Sequence, residues 1–131
     1  MKISWSVSYA LIAVGYVAEN CQDGPVLSAR VSKEYGISLE YLLKIMQQLV
    51  RASVLKSRRG PRGGFSLARD PKDISMLQII EAIDGPLTRP LHMAEQTHSV
   101  DFSIKMEVVC KKAADKAMKI YDKAKLSDML Q

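Results

Sequence analysis

The segment from Val54 to Leu67 has the pattern of a β-hairpin, in which two short alternating runs flank a turn rich in glycine and proline. Arg58, Arg59 and Arg62 lie together at the predicted tip, and no acidic residue interrupts the cationic series that continues back through Lys56 to Arg51. A cationic hairpin on a helical domain can bind a polyanion, and nucleic acid is the commonest polyanion that such a hairpin contacts.

Two predicted helices precede this hairpin. One runs from about Ser28, an N-cap candidate, to Tyr35, and Gly36 follows where a left-handed helix end favours glycine. Ser38 is the predicted cap of the next helix. One side of that helix repeats apolar residues at three- and four-residue spacing, namely Leu39, Leu42, Ile45, Met46, Leu49 and Val50. The other side carries Glu40, Tyr41, Lys44, Gln47, Gln48 and Arg51.

The predicted order is a helix, a short turn and a second helix, with a basic hairpin directly after it. This order is typical of a winged helix. The predicted fold class is therefore mainly α with a small β-hairpin (α+β). A broad apolar helix from Ser4 to Asn20 precedes the motif, and a further helix capped by Ser75 follows it and ends at the Asp84-Gly85-Pro86 turn. Residues 87–99 show no clear period and are predicted to form a loop.

A long helix is predicted from Val100 to Lys125, and at 1.5 Å per residue it would span roughly 40 Å. Its apolar residues recur at near-heptad spacing: Phe102, Met106, Val109, Ala113, Ala117, Ile120 and Ala124. A compact domain of this size does not need such a helix, so we expect the same helix of a second copy to cover the stripe in a two-fold homodimer. Leu126 to Leu130 are predicted to form a short turn that docks back on the core.

These elements divide the chain into a winged-helix DNA-binding domain at 1–86, a loop at the sensor position at 87–99, and a dimerisation helix with a C-terminal turn at 100–131. The 131 residues carry a net charge of +5, an excess equal to the number of basic residues between Arg51 and Arg62. No membrane span or secretory signal is apparent, so we expect no membrane association and a cytoplasmic location. Cys21 and Cys110 are expected to be reduced.

The whole chain resembles the winged-helix transcriptional regulators typified by IscR, NsrR and CymR. The most specific match is Arg59-Gly60-Pro61 with Gly63-Gly64-Phe65. Further matches are Met1 to Ser4, Tyr9-Ala10, Gly24-Pro25-Val26, Tyr35 to Ser38, Tyr41-Leu42, Ile80 to Pro86 and Leu126 to Leu130.

That resemblance implies a homodimer, crossed through the long helix, that binds an imperfect palindrome in double-stranded DNA. It implies that Glu40, Tyr41 and Lys44 face the major groove and that Arg59 enters the minor groove. Tyr41 is a base or phosphate contact, or else an aromatic residue that packs helices together. The candidate DNA-binding residues are Ser38, Glu40, Tyr41, Lys44, Gln48, Arg51, Lys56, Arg58, Arg59 and Arg62.

Two departures from the family pattern stand out. Ser6-Val7-Ser8 replaces a basic Lys-Gly-Arg that contacts phosphate in many members. The three cysteines that hold a two-iron cluster in other members align with His92, His98 and Ile104, and only Cys110 lies in this half of the chain. We therefore expect no conventional iron-sulfur cluster and assign no cofactor.

The candidate sensor residues are His92, His98 and Cys110. The two histidines are either ligands of an atypical metal site or solvated loop residues, with Glu95 as the one further donor in the loop. Cys110 is either a ligand or a small apolar residue on the helix stripe. The effector is unknown, and a ligand in the dimer cleft or no sensing at all are the other options.

The sequence thus favours a homodimeric, sequence-specific DNA-binding regulator that acts as a repressor. The alternative is a winged-helix protein-interaction module that binds an acidic partner and has little or no specific DNA binding. The loss of basic residues before Tyr9 favours this alternative. An enzyme is not expected, because no Ser/His/Asp or paired-carboxylate arrangement is present.

Overall fold

The computed structural model describes residues 2–130, which form seven α-helices and a two-stranded hairpin. In chain order these are α1 (Trp5–Asn20), α2 (Ser28–Tyr35), α3 (Leu39–Arg51), β1 (Leu55–Arg58), β2 (Gly64–Leu67), α4 (Met76–Asp84), α5 (Met93–Gln96), α6 (Asp101–Lys123) and α7 (Leu126–Met129). The predicted mainly α winged-helix class is confirmed. Residues 1 and 131, which bound the predicted division of the chain, lie outside the described residues.

Helix α1 runs through the centre of the core and packs against α3, α4 and β2. Its buried face includes Ala10 and Ala13, whose small side chains let neighbouring helices approach closely. Ser4 caps the helix, because its hydroxyl accepts a hydrogen bond from the amide of Val7 at 3.2 Å. The same hydroxyl donates to Asp84 Oδ1 at 2.7 Å, so the start of α1 is fastened to the end of α4.

Helices α2 and α3 form the helix-turn-helix. Gly36 ends α2 in the left-handed conformation with φ of 65°, as predicted. The prediction that Ser28 caps α2 is wrong, because Leu27 occupies the cap position and no side chain bonds the first turn. Ser38 does occupy the cap position of α3, but its contribution is the backbone carbonyl, which accepts from the amide of Leu42 at 2.9 Å.

The hairpin is antiparallel and pairs Leu55 with Leu67 and Arg58 with Gly64. It is also fastened to the domain body, since Val26 and Phe65 exchange two backbone hydrogen bonds of 2.7 and 2.8 Å. Gly64 makes this contact possible. A Cβ at that position would lie 2.7 Å from the Val26 carbonyl oxygen, and its φ of +144° suits only glycine.

Helix α4 begins with a capping box in which Ser75 and Gln78 bond each other's backbone amides. Arg69, just after β2, holds this region together. Its guanidinium donates to the Ser53 carbonyl at 3.0 Å, to the Asp73 carbonyl at 3.2 Å and to Gln78 Oε1 at 3.4 Å. The base of the hairpin is therefore joined to both α3 and α4.

The prediction that residues 87–99 form a loop is wrong in part, because Met93–Gln96 form the short helix α5. It packs on α6, and the Met93 amide donates to Glu107 Oε1 at 2.7 Å. A hydrogen bond of 2.6 Å joins the hydroxyls of Thr97 and Ser103. These contacts reach from α5 to α6, so the periodicity of residues 87–99 alone does not reveal the helix.

Helix α6 is two residues shorter than predicted at its C-terminal end, and Ser103 is its single buried residue. The chain then returns to the core, because Leu126 is buried and its amide donates to the Ile74 carbonyl at 2.8 Å. The predicted docking of the C-terminal turn is confirmed. Among residues 2–130, no helix is long and apolar enough to cross a membrane.

Candidate nucleic-acid interface

Helix α3 presents a polar outer face because its apolar residues follow helical spacing. Leu42, Ile45, Met46 and Leu49 are buried against the core. Glu40, Lys44, Gln47 and Arg51 are exposed on the opposite side, with Ser38 exposed at the helix start and Gln48 half-buried. Leu39, predicted to lie on the apolar side, is 41% exposed. The arrangement leaves one straight helix face free for a groove.

Tyr41 lies on this outer face and is held there by α1. Its ring packs edge-on against Tyr9 with the centroids 5.7 Å apart, and its hydroxyl is hydrogen-bonded to the Ser6 hydroxyl. The side chain is still 38% exposed. Of the two alternatives for Tyr41, helix packing is therefore observed, and the exposed part of the ring is left for another contact.

The hairpin places a second basic surface beside α3. Lys56 and Arg58 are exposed on β1, and Arg59 and Arg62 are exposed in the turn. The turn is tight, since the Gly63 amide donates to the Gly60 carbonyl at 2.9 Å and a Cβ on Gly63 would lie 2.2 Å from the Arg58 carbonyl oxygen. Glycine at position 63 therefore keeps the two strands close and the arginines at the tip.

None of the predicted cationic contacts on α3 or the hairpin forms an ion pair within residues 2–130. The two ion pairs in that range lie elsewhere, between His92 and Glu95 and between Lys105 and Asp101. Exposed cations outside such pairs can attract an anionic partner. Arg69 is the exception among nearby arginines, since its three hydrogen bonds are internal.

Sequence patterns did not identify the contribution of Trp5. It is the first residue of α1, is 78% exposed, and its ring centroid lies 6.4 Å from that of Tyr9. The four-residue spacing of Trp5 and Tyr9 would have indicated that they share a helix face. No local pattern would have indicated that Tyr9 also contacts Tyr41 on another helix.

The candidate sensor residues are dispersed. His92 Nδ1 lies 3.2 Å from Glu95 Oε2, and both side chains are largely exposed. His98 is exposed in a left-handed turn with φ of 53°, and Cys110 is exposed on α6. An open groove of about 690 Å³ separates residues 86–91 from α6, and its lining includes Arg89, Cys110 and Lys111. Neither histidine is part of that lining.

The model of the Rrf2 family, described as an iron-dependent transcriptional regulator, matches residues 3–131. The HTH-type transcriptional regulator IscR of Photobacterium profundum is 40% identical over 84 residues, which are 64% of this chain and 49% of that protein. The chain thus spans about half the length of the curated relatives that it matches.

Two solved structures have the same fold over nearly the whole chain. CymR, the global cysteine regulator of B. subtilis, superposes with a TM-score of 0.76 at 25% identity. The match covers 98% of this chain and 95% of the CymR chain. IscR of T. potens superposes with a TM-score of 0.75 at 28% identity, and the match covers 98% of this chain and 85% of the IscR chain.

The sensor position lacks the cysteines that a conventional iron-sulfur cluster needs, since Cys110 is the one cysteine after Cys21. Within residues 2–130, no three histidine, cysteine, aspartate or glutamate side chains lie close enough to hold a metal ion. The third aligned position is Ile104, which has no donor atom. The one buried polar group of α6, the Ser103 hydroxyl, is already bonded to Thr97 and to the Val100 carbonyl.

Proposed function

The chain belongs to the Rrf2 family of transcriptional regulators, and from that premise we propose that it is a homodimeric, sequence-specific DNA-binding protein that represses transcription at a palindromic operator. Membership confirms the predicted resemblance to IscR and CymR. The family consists of transcriptional regulators and not of enzymes, which also confirms that expectation. A cytoplasmic location, where such a protein would meet chromosomal DNA, is part of the proposal.

The observation that carries the proposal is a group of exposed cations on the outer face of α3 and on the hairpin beside it. They are Lys44, Arg51, Lys56, Arg58, Arg59 and Arg62, and none of them forms an ion pair within residues 2–130. An α-helix about 10–12 Å across fits the major groove of B-DNA, which is about 12 Å wide. With α3 in that groove, we expect Lys56, Arg58 and Arg62 of the hairpin to lie near the adjacent phosphates.

We divide the candidate contacts by their chemistry. Glu40 and Lys44, on the outer face near the start of α3, are proposed to reach base edges, and Ser38 and Gln48 to flank them. Lys56, Arg58, Arg62 and Arg51 are proposed to contact phosphate, which positions the protein without selecting a sequence. Arg59, at the tip, is proposed to enter the minor groove.

The homodimer is proposed from α6, whose apolar stripe is exposed in a single chain. Phe102, Met106, Val109 and Ile120 are 60%, 52%, 66% and 67% exposed. A second copy of α6, crossed over the first, would bury both stripes and relate two α3 helices by two-fold symmetry. A two-fold pair of recognition helices reads a palindrome, and occupation of that site would block transcription.

We further propose that the chain holds no conventional iron-sulfur cluster. The support is the donor set, because the aligned positions offer His92, His98 and Ile104. Anaerobic purification of the full chain, followed by iron and sulfide assays and an absorbance spectrum, tests this point. Stoichiometric iron and sulfide with visible absorbance would overturn it, whereas metal without sulfide would favour an atypical histidine site.

DNA binding itself is tested by affinity selection of the full chain on random duplex DNA, followed by gel shifts on the selected sequence. We expect a palindromic motif to be enriched. Arg59→Ala should weaken binding by about 1–3 kcal/mol at one end of each half-site, and Lys56→Ala should weaken all sequences alike and lower the salt slope by about one. Lys119→Ala, which removes an exposed cation from α6, is the matched control.

A protein-interaction module is the second candidate. The observation that favours it is the absence of basic residues at Ser6-Val7-Ser8, beside an exposed aromatic ring at Trp5. Selection that enriches no motif would support this candidate over the first. Wild-type affinity of Arg59→Ala for a selected motif would instead reject only the proposed insertion of the hairpin tip.

A further inference from the structure

Three aromatic rings run in a row from the start of α1 to the outer face of α3. The centroids of Trp5 and Tyr9 are 6.4 Å apart, and those of Tyr9 and Tyr41 are 5.7 Å apart. The inner end of the row is fixed, because the Tyr41 hydroxyl is bonded to the Ser6 hydroxyl. The outer end is free: Trp5 is 78% exposed, the largest exposed fraction among the large apolar side chains in residues 2–130.

The position of the row relates Trp5 to the proposed DNA surface. Tyr41 lies on the side of α3 that contacts α1, and the exposed Lys44 follows it by about one helical turn on the outer face. A duplex placed against this face with α3 in the major groove would bring a sugar-phosphate strand to the groove edge. The aromatic row extends from α3 to that edge.

A carboxylate already lies at the positive end of the α1 dipole. Asp84 already accepts hydrogen bonds from the Ser4 hydroxyl at 2.7 Å and from the Ser4 amide at 3.4 Å. Its carboxylate also offsets the positive end of the helix dipole. Lys2 and Ile3, just before the helix, are exposed, and the first residue of α1 itself exposes an indole ring with one N–H donor. Such a ring suits an apolar sugar face with a nearby phosphate oxygen.

We propose that Trp5 is a DNA-backbone contact, with its indole packed on a deoxyribose at the edge of the major groove and its Nε1–H donating to a phosphate oxygen. The proposal rests on the DNA-binding function proposed above. It assigns backbone positioning at this point of the surface to an aromatic residue in place of a cation. The contact releases no counterion, so it adds affinity without adding to the salt dependence.

Trp5 is the single tryptophan of the chain, so intrinsic fluorescence reports on this contact directly. The full chain is titrated with a selected duplex while the anisotropy of a labelled copy of the duplex is followed in parallel. We expect the tryptophan emission to change and saturate at the same protein-to-DNA ratio as the anisotropy. Quenching by acrylamide should fall about twofold or more in the complex, because the ring becomes covered.

The outcomes separate this proposal from the one it rests on. Saturable anisotropy with unchanged emission and quenching overturns the Trp5 contact and leaves DNA binding intact. Absence of any DNA binding overturns both. A quenching change that follows protein concentration without DNA would place Trp5 between two copies of the chain, which also overturns the contact.

Substitutions provide a second readout. Trp5→Ala should weaken DNA binding about tenfold with an unchanged salt slope, because it removes apolar contact area and no charge. Trp5→Arg should recover affinity at low salt and steepen the slope by about one. Ile12→Ala, which truncates a 40% exposed apolar residue on the same helix, is the control and should bind as the wild type does. Equal effects of Trp5→Ala and Ile12→Ala would overturn the proposal, provided that melting curves show both variants folded.

Discussion

The two helices that matter most for the proposed function, α3 and α6, differ in how they are supported. Helix α3 buries Leu42, Ile45, Met46 and Leu49 within its own chain. Helix α6 is longer, at 23 residues, and buries only Ser103. The difference indicates that the helix-turn-helix part has a complete core, whereas the long helix has apolar surface that its own chain does not cover. The first should respond to substitutions through folding stability, and the second through self-association.

The largest effect is expected where the core is complete. Leu42→Ala should lower the free energy of unfolding by about 2–5 kcal/mol, because Leu42 is 0% exposed and its truncation leaves a cavity. Leu39→Ala, on the same helix at 41% exposure, is the control and should cost less than about 1 kcal/mol. Urea titration followed by circular dichroism measures both. Similar losses for the two variants would mean that α3 is not anchored as described.

The next effect concerns α6. Val109→Glu should weaken self-association by about a hundredfold or more while helical content is kept, because a carboxylate at a side chain that is 66% exposed in one chain becomes buried in the pair. Size-exclusion chromatography with light scattering gives the association state. Lys111→Gln changes net charge by the same one unit on the opposite side of the helix, and it should remain associated. A Val109→Glu protein that still pairs would refute the proposed interface.

A smaller effect tests how firmly the hairpin belongs to the complete core. Gly64→Ala should destabilise the protein by about 1–3 kcal/mol. The new Cβ would lie 2.7 Å from the Val26 carbonyl oxygen, and the backbone φ of +144° strains any residue other than glycine. Gly15→Ala, in mid-helix with no other atom within 4 Å of the new Cβ, should be neutral or stabilising by up to about 1 kcal/mol. Thermal melts compare the two. A neutral Gly64→Ala would show that the hairpin moves independently of the loop that contains Val26.

The smallest effect is expected on the exposed surface of α6. Lys105→Ala breaks a 2.9 Å ion pair with Asp101, and both side chains are more than 70% exposed. Solvent screening limits the loss to less than about 0.5 kcal/mol. Urea titration in low and high salt would check this value. A loss above about 1 kcal/mol would mean that the start of α6 depends on this pair more than its exposure indicates.

The sequence predicted those parts of the fold whose signals are local. The apolar spacing of α3, Gly36 at the helix end and Gly63 in the hairpin turn each act on neighbouring residues. Apart from the exposed Leu39, each appears in the structure as expected. Ser75 is a further example, since its capping box depends on a residue three positions away. The exposure of most candidate DNA-binding residues follows from these same local rules, and their contact with DNA stays a prediction.

Features that depend on distant contacts were missed. Helix α5 is held by Glu107 and Ser103, and the hairpin is fastened by Val26, yet no pattern within either segment records these partners. The row from Trp5 to Tyr41 joins two helices in the same way. Ser28 was wrongly assigned as a cap because the local residue type favoured it, whereas the structure begins the helix one residue earlier, after Leu27.

The return of the chain after α6 has a geometric consequence. Leu126 bonds to Ile74, and the Met76 amide donates to the Ala124 carbonyl at 2.9 Å, so the end of α6 is fastened to the start of α4. The end of α4 is in turn fastened to Ser4 at the start of α1. Helix α4 is therefore joined to α6 at its start and to α1 at its end. Helix α3 packs against both α1 and α4. If two chains pair about a two-fold axis as proposed, we expect these contacts to set the distance between the two α3 helices, and that distance would determine the spacing of the half-sites in the operator.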